Sequence, residues 1–493
     1  MNNIFILLVI FFFSLRVIAQ VPSNKIWDFR YGGNSTEDPR ALLYTSDGGY
    51  LVCGWSLSSA SFDKTDTTRS LGAADYWVVK TDSLGNLLWE NTFGGDLYDS
   101  LTCAIALPDS GFLIGGFSNS NISGEKSQPN FNPVNRTKDY WIVRVDKNGN
   151  KMWDKTFGGF HDDNLNSLLF LPDGNFLLGG FTKSDSTGDM SHHTFNTSPT
   201  LVTGDYWIIK VDLNGNKIWD RNYGGSKSDE LISLGLSSDH GFILAGKSNS
   251  SISGTKTQPA YNNGYDFWIV KTDSNGVQLW DKTIGSGGND QMSCFKITPS
   301  QNLIIGGITN SGAGFDKSDA GNGLDDFWFV YTNPMGVKIW DNAYGGNQKE
   351  DDVNGVAITT NGFVITGASY SNISGDKSEN NILSNEQAWM IAVDNFGNKL
   401  WDKTFNCDTH VEFATALQTP DGCYTILSHV NMDGGDVSQA RNSEYDYWLA
   451  KFCPNPLPTA NFIASSNSTC QNSCVNFTNL SLNSTSYHWF FPG

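Results

Sequence analysis

Apolar and polar positions follow one pattern along this chain, and the pattern returns. DYWVVKTDSLGNLLWENTFGG (75–95) sets it, with an apolar run after the first Trp, a polar turn, and a second Trp-bearing run that ends at Gly-Gly. It returns as DYWIVRVDKNGNKMWDKTFGG (139–159) and DYWIIKVDLNGNKIWDRNYGG (205–225), then more loosely at 266–286, 326–346 and 387–407. In all six copies the two tryptophans stand twelve residues apart. The first run is apolar on consecutive positions, as in Trp77-Val78-Val79 or Trp207-Ile208-Ile209, which predicts a strand buried on both faces. The turn D-x-x-G-N (82–86, 146–150, 212–216) predicts positive φ at both Gly and Asn. Trp residues of both strands are expected in the core.

A second hairpin precedes each copy, as in ALLYTSDGGYLVCGW (41–55), SLLFLPDGNFLLGGF (167–181) and LISLGLSSDHGFILAG (231–246). About twenty polar residues then lead to the next DYW. Each unit therefore reads as strands a and b, a long loop, then c, a tight turn and d. The chain begins on a lone d strand, IWDFRYGG (26–33), and the repeats end on a lone c strand, DYWLAKF (446–452). Seven c-strand tryptophans meet seven d-strand ones only if the two ends pair. An open solenoid needs caps instead, whereas a ring uses the shared unit to remove its free edges. The predicted fold is all-β, a seven-bladed β-propeller over 20–453 closed by its terminal strands. One face then carries the tight turns and the other every long loop, so a binding site belongs to the long-loop face.

The flanks add two segments. Residues 1–19 read as a signal peptide, with the apolar run Ile4–Leu15 and Val17-Ile18-Ala19 before a cut ahead of Gln20. That run is shorter than the ~18–20 residues a membrane span needs, and no later segment is long and apolar enough. Prolines at 454, 456 and 458 mark a linker, 454–458. Residues 459–493, with ANFIAS, VNFTNLS and YHWFF, read as the start of a β-sandwich that stops part-way.

A net charge of −19 and the lack of a basic stripe argue against nucleic acid as a partner. Eight cysteines in 493 residues are too few for a disulfide scaffold, although an oxidising compartment suits them. Cys53, Cys103 and Cys294 fall within strand patterns as buried thiols. Cys407, Cys423 and Cys453 cluster in the last repeat, and Cys470 and Cys474 in the tail, with pairing expected inside each cluster.

The repeats, with D-G-G-Y, D-Y-W-x-x-K, D-x-x-G-N and W-x-x-x-x-G-G, resemble the secreted Trp-rich propeller repeats of Bacteroidetes surface proteins over about 25–453. The tail, 459–493, resembles the start of a PKD domain, an immunoglobulin-like sandwich. The resemblance implies an exported or cell-surface protein, often delivered by type IX secretion, and no settled activity.

Two sets of carboxylates recur. Asp38, Asp99, Asp163, Asp229, Asp290 and Asp352, with Glu412 as the seventh, stand just ahead of strand a. They read as a ring around one channel mouth, suited to calcium, a cation or a polyhydroxyl ligand, or as caps for backbone N–H groups at each blade junction. The long loops repeat S-x-S-x-x-G-[DE]-K-[ST], with Asp63, Glu125, Asp189, Asp316, Asp376 and Asp436 at the acidic position and Thr255 as the exception. These oxygen-rich loops suit calcium in composition but match no known calcium spacing, so calcium is the one candidate cofactor. Phe131, Phe195 and Tyr261 on the loops suit sugar stacking, and His192-His193 marks the longest loop. No G-x-S-x-G, H-E-x-x-H or phosphate-cradling glycine loop occurs. The expected function is a non-enzymatic surface or secreted binding protein for a glycan or a protein partner. The alternative is a polysaccharide-active enzyme with its site on the same face.

Overall fold

The computed structural model describes residues 20–70, 72–195, 203–440, 444–455, 462–464 and 477–479. Seven four-stranded antiparallel sheets follow one another along it. Blade one runs Glu37–Tyr44 (strand a), Tyr50–Ser56 (b), Asp75–Thr81 (c) and Leu87–Phe93 (d). Blades two to six repeat that order, their a strands starting at Asp99, Asp163, Asp229, Asp290 and Glu350. Blade seven takes a, b and c from Val411–Gln418, Tyr424–Val430 and Asp446–Cys453, and its d strand from Asn24–Tyr31 at the other end of the chain. Each a strand lies against the a strand of the next blade, and that of blade seven against that of blade one, so the ring closes. The chain is a seven-bladed β-propeller. Among the described residues no helix is long and apolar enough to cross a membrane.

The c strands hold the core. All seven of their tryptophans are fully buried, which explains why apolar residues occupy consecutive positions there. The residue before each Trp reaches the next blade. Tyr76 packs on Trp141 at 4.7 Å between ring centroids, Tyr140 on Trp207 at 4.9 Å and Tyr206 on Trp268 at 4.7 Å. Their hydroxyls donate to the Trp141, Trp207 and Trp268 carbonyls, so a polar tip is satisfied inside an apolar seam.

Of the d-strand tryptophans Trp401 is buried in the core as expected, while others depart from that expectation. Trp89, Trp153 and Trp219 are half-buried, because strand d is the outer edge of its blade. Trp89 covers Gly149 in the next blade's c–d turn, where a Cβ would strike the indole, and its Nε1 donates to the Lys147 carbonyl at 3.2 Å. The turn itself needs positive φ only at Gly (Gly85, Gly149, Gly215). The expectation for Asn was wrong: Asn86 closes the turn by donating from Nδ2 to Asp82 Oδ2 at 2.8 Å. Asp82 Oδ1 meanwhile accepts the N–H groups of Leu84 and Asn86.

Cys423 and Cys453 form a disulfide in blade seven, while Cys53, Cys294 and Cys407 are buried thiols and Cys103 is half-buried. Of the tail, Phe462–Ala464 and Phe477–Asn479 pair antiparallel. The expected signal peptide, most of the PKD-like segment, and Cys470 and Cys474 lie outside the described residues.

Candidate binding site on the long-loop face

The repeated carboxylates turn inward, onto backbone N–H groups and hydroxyls. Asp99, Asp163, Asp229 and Asp290 each open an a strand and are fully buried or nearly so. Each accepts the N–H of the residue four places back, at the end of the preceding d strand: Gly95 at 2.7 Å, Gly159 at 2.8 Å, Gly225 at 2.7 Å and Ser286 at 2.6 Å. Asp99, Asp163 and Asp229 also accept from Ser120, Ser184 and Ser250, the second Ser of S-x-S in the long loop. A Cβ at Gly95 would run into Ser120, so the Gly-Gly motif is a matter of close approach.

Two members of the sequence-derived ring sit elsewhere. The equivalent positions in blades one and six belong to Glu37 and Glu350, which accept from Ser56 and Ser58, and from Ser369 and Ser371. Asp38 lies one place further on, paired with Arg40 at 2.6 Å. In blade seven the register position is Val411, opposite Val430. The side chains of Asp352 and Glu412 lie outside the described set. The signal that picks the right residue was present: the buried acid always stands four residues after the second Gly, or after its stand-in Ser286.

The loop acids are committed as well. Asp63 accepts from Gly32 N–H at 3.2 Å, Glu125 from Gly94 at 3.2 Å, Asp189 from Gly158 at 3.1 Å, Asp316 from Gly285 at 3.1 Å, Asp376 from Gly345 at 3.2 Å and Asp436 from Asn406 at 3.0 Å. Thr255, the exception, does the same for Gly224 through its hydroxyl at 3.0 Å. Each long loop is thereby clamped to the preceding blade. Among the described residues no three His, Cys, Asp or Glu side chains gather to hold a metal.

A third set escaped the sequence reading, although it stands beside every d-strand Trp. Glu90, Asp154, Asp220, Asp281, Asp341, Asp402 and Asp28 accept the indole N–H of their blade's c-strand Trp at 2.6–3.2 Å. The motif lysines Lys64, Lys126, Lys256 and Lys377 are buried against these groups, and burial pushes their amines down to about 8. At the start of strand c, burial pushes the Asp75 and Asp205 carboxyls up to about 8, and Asp139 and Asp266 up to about 7. The Asp290 carboxylate across the blade junction adds to the upward push on Asp266.

The loop aromatics also face neighbours. Phe131 and Phe195 lie over Gly188 and Gly254 of the next loop, and Tyr261 stacks on Phe315 at 4.5 Å. His193 bonds Asp185 at 2.9 Å, and His192 lies 3.4 Å from Arg221.

Where the repeats differ, a surface opens. The penultimate residue of strand b is Trp55, Phe117 and Phe181 in blades one to three, then Lys247, Ile308, Ala368 and His429. Tyr98, 36% exposed, lies 6.2 Å from Trp55 and 6.1 Å from Phe117, so three aromatic side chains run in a row across the blade one–two junction. Asp38 and Arg40 both act on the Tyr98 hydroxyl, and Lys138 Nζ stands 4.3 Å over Phe117. The row is partly exposed and rimmed by charge; at the same register blade seven carries the imidazole-bearing row His410–Tyr445–His429 instead.

No protein-family model matches the chain. A curated relative, the regulatory protein FlaEY of Caulobacter vibrioides, is 23% identical over 387 residues; the match spans 73% of this chain and 39% of that protein's length. Similar solved structures include a Dyadobacter fermentans protein of unknown function (10% identity, TM-score 0.42, covering 87% of this chain and 99% of that one). Another is hydrazine synthase of Kuenenia stuttgartiensis (10% identity, TM-score 0.43, 80% and 93%). Likeness at this level carries nothing about activity.

Proposed function

We propose that this chain is a non-enzymatic binding protein of the cell exterior that takes a glycan on its long-loop face. The observation that carries the reading is the row Trp55–Tyr98–Phe117, flanked by Asp38, Arg40 and Lys138. Sugar rings offer C–H faces to aromatic side chains and hydroxyls to carboxylate and guanidinium groups, and this surface has both. Catalysis needs unlike acids and bases converging on one reacting atom. The repeated carboxylates are spent instead on backbone and indole N–H groups, seven times over or nearly so. Export by the leader and a spacer role for the PKD-like tail complete the proposal.

The test is a glycan-array screen of the full chain that scores retention and cleavage, with wild type beside Tyr98→Ala and Phe195→Ala. Retention lost in Tyr98→Ala and kept in Phe195→Ala supports the reading. Cleavage of any glycan turns it toward the polysaccharide-active enzyme, and equal retention by both variants removes the site from this row.

A further inference from the structure

Among the described residues, one cation on the central wall of the ring is not explained by the repeat. At one register position of strand a, its seventh residue or in blade six its eighth, the residues around the ring are Leu43, Ile105, Leu169, Gly235, Lys296, Ala357 and Leu417, each fixed by its pairing to strand b. Six are apolar or glycine and one is Lys296. It lines a cavity of about 290 Å³ that Leu42 of blade one and Ser233 of blade four also line, so the cavity is the central channel. Lys296 is exposed to that lumen, yet protein surrounds it closely enough to push its amine below the ordinary lysine range.

Its surroundings differ from those of every motif lysine. Lys64, Lys126, Lys256 and Lys377 each feel at least three carboxylates and donate to a Thr hydroxyl. Lys296 has neither an ion pair nor a hydrogen bond among the described residues, and its neighbour Cys294 is a neutral thiol, since burial pushes it up to about 12. In a chain of 51 acids and 32 lysines and arginines, that isolation is unusual.

The hydroxyls beside it follow the same break in symmetry. In blades two and three, polar residues midway along strand a clamp the next blade: Thr102 donates to the Leu165 carbonyl at 2.5 Å, Asn166 to the Leu231 carbonyl at 2.7 Å, and Ser167 accepts from Leu234 N–H at 3.1 Å. In blades four, five and seven the corresponding stretch offers Ser233, Ser293 and Thr415. All three line the cavity, and none of their hydroxyls has a protein partner among the described residues. Three unspent hydroxyls, one unspent amine and an apolar collar are the few placed polar groups on an apolar wall that small-molecule sites present.

We propose that the central channel is a binding site for a small organic carboxylate, with its charge on Lys296, its oxygens on Ser233, Ser293 and Thr415, and its apolar end against Leu42, Ile232 and Leu417, which line the same cavity. The site is independent of the glycan surface at the other end of the blades. Its volume sits at the low end of ligand pockets, which restricts the occupant to a compact acid.

Isothermal titration of the full chain with benzoate tests this, with benzamide and inorganic phosphate as companions. Saturable benzoate binding is expected, weakened at least about tenfold in Lys296→Met by loss of the charge-assisted contact. Benzamide and phosphate should each bind more weakly than benzoate. Ser293→Ala should weaken benzoate less than Lys296→Met, and it provides the readout should that variant fail to fold. Mass-spectrometric mapping of trinitrobenzenesulfonate labelling adds a direct measure, since benzoate should slow modification of Lys296. The proposal is overturned if wild type shows no saturable benzoate binding, if Lys296→Met binds as well as wild type, or if phosphate binds as tightly as benzoate.

Discussion

The junction between blades two and three and the junction between blades six and seven do the same job with different chemistry. At the first, Tyr140 packs on Trp207, Gly158-Gly159 closes the d–a turn, and Asp163 faces Thr182 in register while bonding Gly159 and Ser184. At the second, Ala388 stands where the Tyr was, Asn406-Cys407 replaces Gly-Gly, and Val411 faces Val430. Gln387 replaces the strand-c Asp, accepting Cys407 N–H at 2.9 Å and donating to the Thr409 carbonyl at 2.8 Å. The acid and its hydroxyl partner disappear together. A ligand site would lose its acid without its neighbour changing, whereas a hydrogen-bonded staple changes as a set.

The largest expected effect comes from the core of that contrast. Trp207→Ala should cost about 3–5 kcal/mol in chemical denaturation. Trp448→Ala should cost less by roughly 0.5–1.5 kcal/mol, because Trp448 lacks the cross-blade ring that Tyr140 gives Trp207. Equal costs would remove the aromatic seam from the account.

Next come the acids. Asp163→Ala leaves the Gly159 N–H unsatisfied and the Ser184 hydroxyl with the His161 carbonyl alone, and should cost about 1–3 kcal/mol. The reverse swap, Val411→Asp, should destabilise because it buries a carboxylate opposite Val430. Adding Val430→Ser should recover part of that loss, with a coupling of roughly 0.5–3 kcal/mol in a double-mutant cycle. Strictly additive costs would mean the two positions do not act together.

A smaller effect should appear against pH. Asp75 and Asp205 have folded values of about 8 against an ordinary 3.8, so the folded chain holds their protons more tightly than the unfolded one. Stability from these groups therefore falls as pH rises from the ordinary carboxylate range through about 8. Lys64, Lys126, Lys256 and Lys377, lowered to about 8 from 10.5, have the opposite slope above that value. The melting temperature should pass through a local minimum near pH 8. Asp205→Asn, which copies the neutral amide of Gln387, should flatten the acid-side slope, and an unchanged slope would exclude Asp205 as its source.

Most of the fold could be read from the chain, and the reasons are local. Consecutive burial in Trp77-Val78-Val79, the glycine of D-x-x-G-N and the unpaired end strands at 26–33 and 446–452 each demand one arrangement of the backbone. The site was less legible. Asp38 and Asp352 look like the other ring acids by residue type, and the count of four from the second Gly, with which the strand register agrees, separates them from Glu37 and Glu350. The d-strand acids were hidden because a Trp-Asp pair on an outer strand gives no hint that it reaches an indole thirteen residues back. The row Trp55–Tyr98–Phe117 joins residues from two strands and a loop, and nothing in their spacing announces the contact.

The central claim is that the recurring carboxylates are staples rather than ligands. Thermal unfolding of the full chain in millimolar calcium and in chelator tests it most directly, since a cation bound only by the folded state must raise the midpoint. The account predicts the same midpoint in both, with Asp163→Asn lowering it equally in each. A calcium-dependent rise that saturates, and that Asp163→Asn or Asp189→Asn abolishes, would contradict it.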